Sequence, residues 1–152
     1  MWLAVVPILV SFLLAGVAYQ QIGLARDARR YPAPGRLIDI GGRSLHVDMR
    51  GEGSPAVVFE AGIAATSLSW SLVQPKIAEI TKTISYDRAG LGWSDPPQGT
   101  RSLAEVVHDF ELLLDRAAIK GPIILVAHSY GGLLARAYQA SPAANLDRKS
   151  VV

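Results

Sequence analysis

Apolar and polar positions divide this chain into a long aliphatic opening and a series of short, regularly spaced elements. Trp2 to Ala25 carries no charged residue, and Trp2 to Val17 is almost wholly aliphatic. As a helix rising 1.5 Å per residue these positions span roughly 36 Å, enough to cross a bilayer core. Tyr31-Pro32-Ala33-Pro34-Gly35 then reads as a stiff linker. Arg36–Ile40 and Ser44–Met49, the latter alternating Leu45, Val47 and Met49, flank Gly41-Gly42-Arg43 and predict a β-hairpin. Ala56–Phe59, Lys82–Tyr86 and Ile123–Val126 are compact runs expected to be strands, the last one covered on both faces. Trp70–Thr81 reads as a helix interrupted early by Pro75.

Two further helices have clearer signatures. Ser102-Leu103-Ala104-Glu105 is a capping box, and behind it Leu103, Val106, Val107, Phe110, Leu113, Leu114 and Ala117 keep to one face. Tyr130–Gln139 carries Leu133, Leu134, Ala137 and Tyr138 at helical spacing. The order predicts an α/β fold: a β-hairpin, then a mostly parallel βαβαβα arrangement with helices on both faces, preceded by a transmembrane helix.

Composition narrows the chemistry. The 152 residues suffice for one domain with a core. A net charge of +2 with no long basic run gives no nucleic-acid surface. With no cysteine, disulfides, thiolate zinc sites and a cysteine nucleophile are excluded; no metal or cofactor is expected. Arg26, Arg29 and Arg30 follow the aliphatic stretch and favour a cytoplasmic C-terminal side for an anchor over residues 2–25. The rival reading is a secretory signal peptide cleaved near Gly16-Val17-Ala18, giving a secreted protein, although no Lys or Arg precedes the apolar run. The expected division is an anchor over 1–25, a linker over 26–36, a folded domain over 37–146 and a tail over 147–152.

Ser129 stands between the strand ending at Val126 and the helix starting at Tyr130. A hydroxyl there lies at a strand's C-terminal end, beside backbone N–H groups of a helix N-terminus that can hold a developing oxyanion. So sharp a turn needs small residues two before and two after the serine. They are Ala127 and Gly131, in Ala127-His128-Ser129-Tyr130-Gly131, a variant of G-x-S-x-G with alanine at the first glycine. Of the other histidines, His46 falls opposite the apolar face of its strand and is expected to face solvent. His108, beside Asp109 and Glu111, is likewise expected on a solvated face.

Three motifs in one order carry a resemblance: Phe59-Glu60-Ala61-Gly62-Ile63, Asp87-Arg88-Ala89-Gly90-Leu91-Gly92-Trp93-Ser94-Asp95 and Ala127–Gly131. Over about Leu37 to Ala140 the chain resembles the N-terminal portion of the α/β-hydrolase superfamily, in its serine-nucleophile branch. The resemblance implies that Ser129 is the nucleophile and that the backbone N–H groups of Tyr130 and Ile63 form the oxyanion hole. It also implies that the substrate is a small-molecule acyl ester or amide, and that Asp87 and Asp95 are structural. Relatives that open epoxides or displace halide use aspartate where this chain has Ser129.

The resemblance also implies an acid and then a histidine after the serine. Here Asp147 is the sole acid beyond Ser129, and His46, His108 and His128 all precede or adjoin it. The expectation is therefore a C-terminally truncated, inactive form of a membrane-anchored serine hydrolase, with its fifth strand left as an open edge. The alternative is a non-catalytic membrane-tethered binding module. Asp147 to Val152 matches the translation of a common short-read sequencing adapter and is expected to be a non-native tail.

Overall fold

The computed structural model describes residues 2–99 and 101–142, with side chains from residue 5 onward. The proposed tail at 147–152 lies outside the described residues. The described residues fall into two compact units, divided between Ala33 and Pro34.

In the first unit, helix α1 runs Trp2–Arg30 and contains Pro7. The Ser11 hydroxyl donates to the Pro7 carbonyl at 2.8 Å, so its polar group is satisfied within the helix. Among the described residues this is the one helix long and apolar enough to cross a membrane, over Val5–Arg30. A membrane anchor and a signal sequence both meet that description.

The second unit is a five-stranded mixed sheet of β1 (Arg36–Asp39), β2 (Ser44–Arg50), β3 (Ala56–Glu60), β4 (Thr83–Tyr86) and β5 (Ile123–Ala127), in the order β1-β2-β4-β3-β5. β1 and β2 form the expected hairpin, with Ile38 opposite Leu45. Its turn needs positive φ at both glycines, 98° at Gly41 and 84° at Gly42. β2 meets β4 antiparallel, whereas β3 runs parallel to β4 and β5.

Pleating assigns the two faces. Ala56 and Val58 on β3, Leu45 and Val47 on β2, Ile84 and Tyr86 on β4, and Ile123 and Leu125 on β5 share one buried cluster. Helix α3 (Leu103–Arg116) covers it with Val106, Val107, Phe110 and Leu113, and α4 (Tyr130–Gln139) with Leu134 and Tyr138. Phe110 lies between Tyr86 (ring centroids 5.6 Å apart) and Tyr138 (5.0 Å, edge-on). The Ser102–Glu105 capping box is present and starts α3.

The opposite face is smaller and more polar. Phe59 stacks near Trp70 of a 3₁₀ turn, Ser67–Trp70. Gln74 of the short helix α2 (Gln74–Ala78) donates to the Asp48 carbonyl and accepts from the Ser85 hydroxyl. Here the structure corrects the expected helix over Trp70–Thr81. Pro75 sits in the first turn of α2 and begins that helix rather than interrupting it, because proline there loses no hydrogen bond and its φ is already helical.

The strand order places α2 and the α3–α4 pair on opposite faces, as right-handed crossovers of opposite direction, β3 to β4 through α2 and β4 back past β3 to β5 through α3, require. The C-terminal ends of β3, β4 and β5 then open onto one rim, where loops carry chemistry in open α/β sheets.

Candidate active site

Three segments meet at that rim: the loop after Glu60, the loop from Asp87 to Asp95, and the turn from Ala127 to Gly131. Ala127 is opposite Glu60 in the β3–β5 pairing, and the His128 N–H donates to the Glu60 carbonyl at 3.0 Å, extending the ladder one residue. The chain then reverses at Ser129 with φ 53° and ψ −117°, a backbone that an L-residue adopts only under strain. The turn is closed by Gly131 N–H to His128 C=O and Gly132 N–H to Ser129 C=O, both 2.9 Å. Ser129 is exposed and its hydroxyl makes no capping hydrogen bond.

The small residue after the serine has a steric cause. A Cβ at Gly131 would lie 2.7 Å from the Glu60 carbonyl oxygen and 2.9 Å from that of Ala61. The helix start therefore rests directly on the end of β3.

Two residues expected to supply oxyanion donors share a groove. Ile63 and Tyr130 line one groove of about 270 Å³ with Ala64, Arg88, Leu91, Arg101 and Val106. Among the described residues neither backbone N–H is taken by a main-chain acceptor. His128 lies against the same loop; a Cβ on Gly62 would sit 3.0 Å from its Nδ1.

Asp87 is fully buried and is a structural hub. It accepts from Ser67 N–H at 2.7 Å, Trp93 N–H at 3.1 Å and the His46 Nδ1 at 3.0 Å. Burial alone would push its carboxyl up, but the hydrogen bonds from His46, Ser67 and Trp93 hold it below the ordinary aspartate value. Asp95 closes the loop onto the hairpin, its carboxylate accepting from Ser44 N–H at 2.7 Å. Both aspartates are thus held in place by loop and strand donors.

His46 corrects the sequence expectation of a solvent-facing residue, being fully buried. β2 is an inner strand, and the 87–95 loop folds over the face that alternation alone assigns to solvent. Trp93 packs on its ring at 4.9 Å. Nε2 accepts from Gly35 N–H at 3.2 Å, which leaves the proton on Nδ1, facing Asp87. Both ring nitrogens are therefore occupied. His108 is exposed on α3, as expected, 4.0 Å from Glu111. No histidine among the described residues hydrogen-bonds to Ser129.

One cluster was missed by the sequence reading. Beneath the rim, fully buried Glu60 accepts from the Tyr86 hydroxyl and the Arg88 guanidinium. Burial raises the Glu60 carboxyl, opposed by the Tyr86 hydrogen bond and the Arg88 charge. Burial, and then the Glu60 carboxylate, push the Tyr86 phenol well up. The available signal was an acidic residue closing the apolar run Ala56–Phe59, which demands a buried partner. No group of three or more potential metal ligands occurs among the described residues.

Comparison with known proteins gives consistent results. The model of the "Alpha/beta hydrolase family" matches residues 57–152. A Hormonema carpetanum protein described as "Probable transporter efuK" is 40% identical over 108 residues, 67% of this chain and 16% of that protein. The uncharacterized protein YqjL of Bacillus subtilis is 34% identical over 96 residues, 62% of this chain and 38% of its own length. Among solved structures, Est816, described as an N-acyl homoserine lactone degrading enzyme, superposes with a TM-score of 0.68 at 22% identity. That match covers 76% of this chain and 43% of Est816. The chain thus spans less than half the length of these relatives.

Proposed function

The chain belongs to the alpha/beta hydrolase family, and on that premise we propose that it carries the nucleophile half of a serine hydrolase site. Ser129 attacks the carbonyl carbon of an acyl ester or amide, and the N–H groups of Tyr130 and Ile63 receive the negative charge that develops on the carbonyl oxygen. The observation that carries this reading is the turn itself. An exposed serine is held at φ 53° between a strand end and a helix start, with Tyr130 and Ile63 lining one adjoining groove.

Among the described residues no histidine hydrogen-bonds to this serine. His46 is bound on both nitrogens, and His108 lies on α3. Proton removal in this chain therefore needs an external base, and without one turnover is expected to be negligible. In the same proposal α1 anchors the domain to a membrane, with Arg26, Arg29 and Arg30 at its C-terminal end.

The test is acylation of the detergent-solubilised chain by p-nitrophenyl acetate with imidazole as the added base. The Ser129 Oγ–acyl bond forms, p-nitrophenolate leaves with the bonding pair, and imidazole takes the hydroxyl proton. Mass spectrometry should find one acetyl group on Ser129, slow to hydrolyse and absent from Ser129→Ala. Acetylation spread equally over lysines in both proteins would refute the reading and favour a non-catalytic membrane-tethered binding module.

A further inference from the structure

Arg88 is almost wholly buried, and its guanidinium has four partners belonging to both halves of the candidate oxyanion site. Nη1 donates to the Glu60 carboxylate and, at 2.7 Å, to the Ala61 carbonyl, while Nη2 donates to the Gly62 carbonyl. Its Cζ lies 5.3 Å from the centroid of the Tyr130 ring. We propose that Arg88 is a positioning residue for oxyanion binding, fixing the Gly62–Ile63 peptide and the Tyr130 ring relative to each other. This rests on the reading of Ser129 as nucleophile.

The argument is one of peptide geometry. The Gly62 carbonyl and the Ile63 N–H belong to one planar trans unit and point in opposite directions. Holding the carbonyl on Arg88 aims the N–H away from it, free of main-chain acceptors. Glycine at 62 leaves the preceding backbone permissive, and besides Arg88 the Gly62 carbonyl accepts a long 3.3 Å bond from the Ala65 N–H, so loss of the guanidinium loosens the unit. Arg88 adds a charge-assisted hydrogen bond to the hold that the turn itself provides.

The support is layered. The Tyr86 hydroxyl fixes Glu60, Glu60 balances the buried charge of Arg88, and Arg88 holds two successive carbonyls. The planar fork holds a carboxylate and two carbonyls at fixed angles to one another. A lysine ammonium keeps the charge and loses the fork, so Arg88→Lys separates orientation from charge.

The experiment compares acylation of Ser129 by a p-nitrophenyl ester and by its thionoester in wild type, Arg88→Lys and Arg88→Met. Sulfur accepts hydrogen bonds poorly, so the thionoester gains little from the oxyanion donors. Loss of one donor costs about 10²–10³-fold in rate. Arg88→Lys should therefore slow the ester by roughly 10²-fold while the thionoester rate stays nearly unchanged. If both substrates slow equally, or neither slows, the proposal is overturned while Ser129 remains the nucleophile. A second measurement does not depend on acylation. The ¹⁵N–¹H resonances of Ile63 and Ala64 in Arg88→Lys should shift and exchange faster than in wild type, with the α3 resonances unmoved. Resonances unchanged at Ile63 and Ala64 would overturn the proposal even if wild type never acylates.

Discussion

Gly131 and Gly132 are neighbours in the first turn of α4, yet alanine should act on them with opposite sign. At Gly132 an added Cβ meets nothing within 4 Å. Gly132→Ala should therefore stabilise by about 0.5–1 kcal/mol, through helix propensity and a less disordered unfolded chain. At Gly131 the same methyl would lie 2.7 Å from the Glu60 carbonyl oxygen, 2.8 Å from the Glu60 Cγ and 2.9 Å from the Ala61 carbonyl oxygen. These neighbours cannot yield cheaply, since Glu60 is fully buried and the Ala61 carbonyl is held by Arg88. Overpacking of this kind costs about 1–3 kcal/mol. After the propensity gain, Gly131→Ala should destabilise by about 0.5–2 kcal/mol. Urea unfolding of the detergent-solubilised chain measures both. With a slope of about 1–3 kcal/mol per molar urea, the two midpoints should fall on opposite sides of wild type. If Gly131→Ala raises the midpoint as Gly132→Ala does, the packing of α4 on the end of β3 is wrong.

Other predictions address the core and the loop. Phe110 is fully buried between Tyr86 and Tyr138, and Phe110→Ala should cost about 3–5 kcal/mol; a loss below 1 kcal/mol in urea unfolding would contradict that packing. The Asp87 carboxyl is lowered in the fold, so its stabilisation is present above the unfolded value of about 3.9 and lost as pH falls through the folded one. The stability gap between wild type and Asp87→Asn should therefore narrow below about pH 4, and a gap that stays constant down to pH 2.5 would refute this.

Most of the architecture was legible because it depends on local signals. The hairpin glycines, the Ser102–Glu105 box and the unbroken apolar runs each determine an element without distant contacts. The turn at Ser129 was legible because strain and small neighbours leave a pattern in five residues. Pro75 misled because proline stops a helix from inside and starts one from its first turn, and spacing alone did not say which. His46 misled because alternation reports one buried face, and a loop nearly fifty residues later covers the other. The Glu60–Tyr86–Arg88 cluster is nonlocal in the same way, joining the ends of two strands through side chains that carry no spacing rule.

The backbone at Ser129 has a consequence for how this position tolerates change. With φ 53° and ψ −117°, its conformation suits a residue without a Cβ. Glycine there would relieve the strain and delete the hydroxyl in one step, so the variant that folds best at this codon is one that cannot react. Stability alone therefore favours glycine at residue 129, whereas the proposed acyl transfer requires the hydroxyl, so the two demands pull this position in opposite directions.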